Sequence, residues 1–117
     1  MSNYCFVALI LPGGEDTMKV WIHENLNKNA DHDRVMRQAG VSREQVWIQH
    51  TPMGDFAVAS LETSDPGKTF QVLTNSKDPW AAKYRDFLTK AHGIDFSKTM
   101  PVNELVGDWQ AMEKIPA

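Results

Sequence analysis

The segment Tyr4-Cys5-Phe6-Val7-Ala8-Leu9-Ile10-Leu11 constrains this chain more than any other. It is β-branched and aromatic, carries no polar alternation, and stops at the turn signal Pro12-Gly13-Gly14. A strand that is apolar on both faces must be covered on both faces. In a chain of 117 residues, one cover comes from its own helices and the other from a second copy of the sheet. Length fits one domain spanning residues 1–117, with an ordered core over about 4–109.

Downstream of the turn, residues 15–39 read as helix. Acids open the segment, Arg34 and Arg37 close it, and Gly40 follows. At steps of about 100°, Met18, Trp21, Ile22, Leu26, Met36 and Ala39 share a broad face. Asn25, Asn29 and His32 fall in its middle, where an unbonded polar group costs on the order of 1–3 kcal/mol. Three explanations stand: a break within residues 27–31 with Asp31 capping a second piece, a wet cavity lined by these side chains, or solvent exposure. Residues 45–50 and 55–62 read as strands joined by Thr51-Pro52-Met53-Gly54 into an antiparallel hairpin. Residues 68–74 form a short helix. Asp78-Pro79 is the N-cap and first position of a longer one, residues 80–92, ended by Gly93. Its Trp80, Tyr84, Phe87 and Ala91 stripe is a core face. Residues 102–109 supply a last strand.

Most chemical motifs are missing. Pro12-Gly13-Gly14 lacks phosphate-loop spacing, and Glu15 and Asp16 put negative charge where a phosphate would sit. His23 and His32 fall on opposite sides of one straight helix. No H-x-x-x-H, E-x-x-H or C-x-x-C occurs, so no metal centre is expected. Cys5 reads as a small core residue; as the sole cysteine it fits a reducing cytoplasm. Twelve Lys plus Arg against 15 Asp plus Glu argues against nucleic acid as a partner. The longest apolar run, seven residues, argues against a membrane span, which needs about 18. His92, at a helix C-terminus with Asp95 three residues on, is the weak catalytic candidate.

The order β-α-β-β-α-β is that of a ferredoxin-like α+β unit with an antiparallel sheet. Together with the doubly apolar first strand, and with stretches such as Arg43-Glu44-Gln45-Val46-Trp47, Asp78-Pro79-Trp80, His92-Gly93-Ile94-Asp95 and Glu104-Leu105-Val106-Gly107-Asp108-Trp109, the chain resembles an uncharacterised family of the dimeric α+β barrel superfamily. That superfamily includes the antibiotic-biosynthesis monooxygenases. The resemblance implies a homodimer with a pocket between sheet and helices for a small aromatic or polyketide-like ligand. It implies no cofactor, and activity akin to a cofactor-independent monooxygenase; a non-catalytic binding or dimerisation module is the alternative. In such a pocket Asn25, Asn29 and His32 would be the polar groups, and Trp21 and Trp80 the walls. Some relatives degrade haem with an Asn, Trp and His set. Here Trp80 and His92 lie about 120° apart on their helix and Asn3 precedes the strand, so the set is not matched.

Overall fold

The computed structural model describes residues 2–26, 28–98 and 103–111. The elements run β1 (Ser2–Leu9), α1 (Gly14–Asn25), α2 (Ala30–Gln38), β2 (Val41–Thr51), β3 (Gly54–Thr63), α3 (Pro66–Asn75) and α4 (Pro79–His92). Three strands form one antiparallel sheet in the order β1-β3-β2. No helix among the described residues is long and apolar enough to cross a membrane.

The chain is mixed α and β, but the expected fourth strand is not found. Val102 lies outside the described residues, and residues 103–109 carry no regular structure. Gly107, the acids Glu104 and Asp108, and Asn103 leave little strand propensity there. Leu105, Val106 and Trp109 are 78%, 88% and 85% exposed. Asn103 meets the edge of β1, its backbone N–H donating to the Tyr4 hydroxyl and its side chain to the Cys5 carbonyl.

Residues 15–39 form two helices. The interruption falls where expected, but the cap is Asn29, whose side chain accepts from the N–H groups of Asp31 and His32 at 2.9 and 3.1 Å. Asp31 turns instead to Arg34 at 2.8 Å. At the other end of the chain Asp78 caps α4 as its sequence predicts, accepting from Trp80 N–H at 2.9 Å. The Arg34 guanidinium grips the same carboxylate with two nitrogens, at 3.0 and 3.1 Å, and so ties α2 to the start of α4. The bond from Trp80 N–H, with Arg34 beside it, holds the Asp78 carboxyl below its ordinary range.

Register decides the two faces of the sheet. Phe6, Ala59 and Val46 line up across it, as do Ala8, Ala57 and Ile48, and these residues face the helices. On the reverse face Val7, Val58 and Trp47 align, next to Leu9 and Phe56. Val7 is 63% and Trp47 49% exposed, so no helix covers this side. Cys5 belongs to the reverse face and is exposed, contrary to its reading as core; strand alternation sends it opposite Tyr4 and Phe6. β1 also starts earlier than the apolar run, so Asn3 lies within it.

The helical face buries Val35, Met36, Ala39, Leu61, Leu73, Trp80 and Ala81 around one centre and Ile10, Met18, Ala57, Phe87 and Ala91 around another. Thr69 Oγ1 joins α3 to this core, donating to the Ala39 carbonyl at 2.7 Å beside Thr63 Oγ1 at 2.8 Å. Where α1 begins, Gly14 packs against α4 so closely that a Cβ would lie 2.7 Å from the Ala91 carbonyl oxygen. Gly13 before it turns the chain at φ 79°.

Candidate functional site

Between the helices and the centre of the sheet lies a small, partly open cavity of about 40 Å³, room for about one water molecule. Its origin is legible in side-chain size. Ala8, Ala57 and Ala59 put methyl groups on neighbouring positions of the sheet, while Met18, Trp21, Ile22, Phe87 and Leu88 close over them from α1 and α4. Four polar side chains also border the space: His32, Glu44, Tyr84 and His92.

His32 comes from the first turn of α2 and Glu44 from β2, opposite Leu61. His32 Nε2 stands 2.9 Å from Glu44 Oε1, and Nδ1 stands 3.4 Å from Asp33 Oδ1. A carboxylate oxygen stands beside each ring nitrogen, an arrangement that favours the form in which both nitrogens carry a proton. Burial alone would lower the His32 pKa; the bond and charge of Glu44, aided by Asp33, outweigh it and raise the value. Beyond this pair lies an open cleft of about 440 Å³, flanked by Arg37 and Arg43. His32 and Glu44 therefore form a wall between outer cleft and inner cavity.

His92 is set up in the opposite sense. Nδ1 lies 3.0 Å from the Leu9 carbonyl oxygen. A carbonyl only accepts, so Nδ1 holds the proton and Nε2 keeps a lone pair. Burial lowers the His92 pKa, and the Leu9 bond offsets this only in part. Asp95, expected beside it, instead accepts from Ser97 N–H and hydroxyl at 2.9 and 2.6 Å. The imidazole packs edge-on to Phe87, with centroids 5.9 Å apart.

Tyr84 sits between these poles, stacked on Trp80 at 5.4 Å and 7°. Enclosure, with the Glu44 charge adding to it, raises its pKa, so the phenol stays protonated. No sealed and unpaired side-chain N or O occurs among the described residues. Tyr84 borders this cavity and also the smaller one beside Phe70 and Leu73. Trp21 stacks on Phe87 at 4.8 Å and 5°, and the two rings separate the cavity from a groove of about 610 Å³ between α1 and α4.

Of the residues singled out in the sequence, Trp21, His32 and His92 meet at this cavity. Asn25, Asn29 and Trp80 do not line it. The Asn25 side chain accepts from the Trp80 indole N–H at 3.0 Å and from Asn29 at 3.2 Å, and donates to the Trp21 carbonyl at 3.0 Å. This network resolves the polar groups on an apolar face: they are satisfied and hold the break between α1 and α2. Glu44 and Tyr84 escaped the sequence reading. Glu44 sits in a strand whose alternation points it inward, the one signal that would have found it.

Away from the cavity, Glu15, His50 and Asp55 place ligand atoms within 4.8 Å of one another. Glu15 is far from the other two in sequence, so spacing rules miss the group.

No family model, no curated protein and no solved structure matches this chain.

Proposed function

We propose that this chain is a small-molecule-binding α+β protein of the dimeric barrel type, taking a small aromatic or polyketide-like ligand between sheet and helices. The supporting observation is that two unlike histidines border one cavity: His32, whose pKa Glu44 raises, and His92, whose pKa burial lowers while its Nδ1 meets the Leu9 carbonyl. Groups whose surroundings drive them to opposite protonation states are how a site separates acid from base. In this reading His92 Nε2 takes the proton of an aromatic hydroxyl, leaving an electron-rich phenolate. His32 and the Tyr84 hydroxyl stabilise the negative charge that develops on the ligand. In the monooxygenase-like step the electron-rich ring reduces dioxygen itself. One oxygen atom bonds to a ring carbon, and the other leaves as water with the two hydrogens the substrate loses. The phenol becomes a quinone with no other reductant. The reverse face of the sheet, with Val7, Leu9, Trp47, Phe56 and Val58, is the proposed homodimer surface, and the free thiol of Cys5 fits a cytoplasmic setting.

The small volume of the cavity favours a second reading, a dimerisation module without chemistry, because an aromatic ligand is larger than about 40 Å³ and must push side chains aside to fit. A thermal-shift and calorimetric screen with phenol, 1-naphthol and 1,4-naphthoquinone separates the two. Binding that is lost on filling the cavity with Ala59→Leu supports the ligand site. Absence of any response across the panel leaves the dimerisation module.

A further inference from the structure

We propose that Glu15, His50 and Asp55 bind one divalent transition-metal ion of the zinc class, at a site separate from the cavity. The three side chains come from the first turn of α1, the end of β2 and the start of β3, and their ligand atoms all lie within 4.8 Å. His50 and Asp55 are partners across the hairpin, with Nδ1 and Oδ1 2.8 Å apart. That contact is a hydrogen bond, and the two atoms become neighbouring donors to one ion once zinc, with bonds of about 2.0–2.2 Å, displaces the proton between them.

The backbone fixes this arrangement. The Thr51 hydroxyl donates to the Gly54 carbonyl at 2.7 Å and accepts from Met53 N–H at 3.2 Å, setting the turn between His50 and Asp55. Ile10 N–H donates to the Asp55 carbonyl at 2.9 Å, and the chain then passes through Gly13 directly to Glu15. The end of β1 thus carries the third donor to the other two.

One imidazole and two carboxylates balance a doubly charged ion and suit borderline metals better than calcium or magnesium, which take all-oxygen sets. Two features oppose binding. The N-terminus of α1 repels a cation, and Glu15 pairs with Lys19 at 3.0 Å. The latter is an exposed i,i+4 pair, worth only a few tenths of a kcal/mol, and gives way readily. Glu15 must close the remaining distance by a change of rotamer, which its partial exposure permits.

Calorimetric titration of the full chain with zinc chloride tests the site, with Co²⁺ absorption reporting its geometry. The expected result is one ion per chain. His50→Ala, Asp55→Asn and Glu15→Gln should each weaken binding about tenfold or more, while His23→Ala leaves it unchanged. The proposal is overturned if no binding occurs up to about 100 μM zinc, or if His50→Ala binds as tightly as the parent. It is equally overturned if Glu15→Gln has no effect, because the hairpin pair alone would then hold the metal. Circular dichroism of each variant confirms that the fold is retained; should His50→Ala unfold, His50→Gln takes its place.

Discussion

His32 and Glu44 stand 2.9 Å apart, α2 against β2, with both side chains nearly sealed from solvent. The contact lies between an open cleft of about 440 Å³ and the small cavity under the sheet, and both residues line each of them.

Glu44→Gln should change how stability depends on pH. The His32 pKa is raised in the folded chain, against about 6.5 unfolded. Its stabilisation is therefore fully present below about pH 6.5 and is lost as pH rises through the higher folded value. Urea midpoints near pH 6 should show the variant about 1.5–3 kcal/mol less stable, with the gap narrowing by about pH 8. The opposite shift of His92 is common to both proteins and cancels. A gap that widens with pH would contradict the assignment.

Replacing Asn25 and Asn29 together by Leu should destabilise the protein by roughly 2–4 kcal/mol, although both lie on an apolar helix face. The change leaves the buried Trp80 indole N–H without its acceptor and removes the cap of α2. Thermal or urea unfolding measures this, and an unchanged or higher midpoint would refute the network.

Gly14→Ala should cost about 1–3 kcal/mol, against the usual gain from Ala in a helix. The new methyl group would meet the Ala91 carbonyl oxygen at 2.7 Å, and a backbone atom cannot swing aside as a side chain does. A stability equal to the parent's would mean that α1 and α4 separate more easily than their packing implies.

Val7→Glu places a charge at the centre of the uncovered sheet face, opposite Val58 and Trp47. In a monomer this exposed change should alter stability by less than about 0.5 kcal/mol. Sedimentation velocity should find the parent a dimer and the variant a monomer of unchanged circular dichroism. A parent that stays monomeric at high concentration removes the sheet-to-sheet pairing.

The elements with strong local signals were legible in advance. Pro12-Gly13-Gly14 ended β1, Asp78-Pro79 started α4, and Thr51 to Gly54 joined the hairpin, because turn and cap chemistry is local. The break in residues 15–39 showed as misplaced Asn25 and Asn29, but its cap depended on contacts 55 positions away, between Asn25 and Trp80. Residues 103–109 misled, since three large apolar side chains resemble a strand when nothing shows whether a neighbour covers them. The cavity itself was only half visible. Its histidines could be named from the sequence, yet their opposite pKa shifts come from Glu44 beside His32 and from the burial of His92, which only the tertiary fold brings about.

The most direct test of the account is nitrogen-15 NMR of the histidine side chains during titration with 1-naphthol. On binding, His92 Nε2 should shift as it gains a proton while Nδ1 keeps its own, the indole of Trp21 should shift, and His23 and His50 should stay still. Shifts confined to His23 and His50, or none at all, would contradict a ligand site between the helices and the sheet.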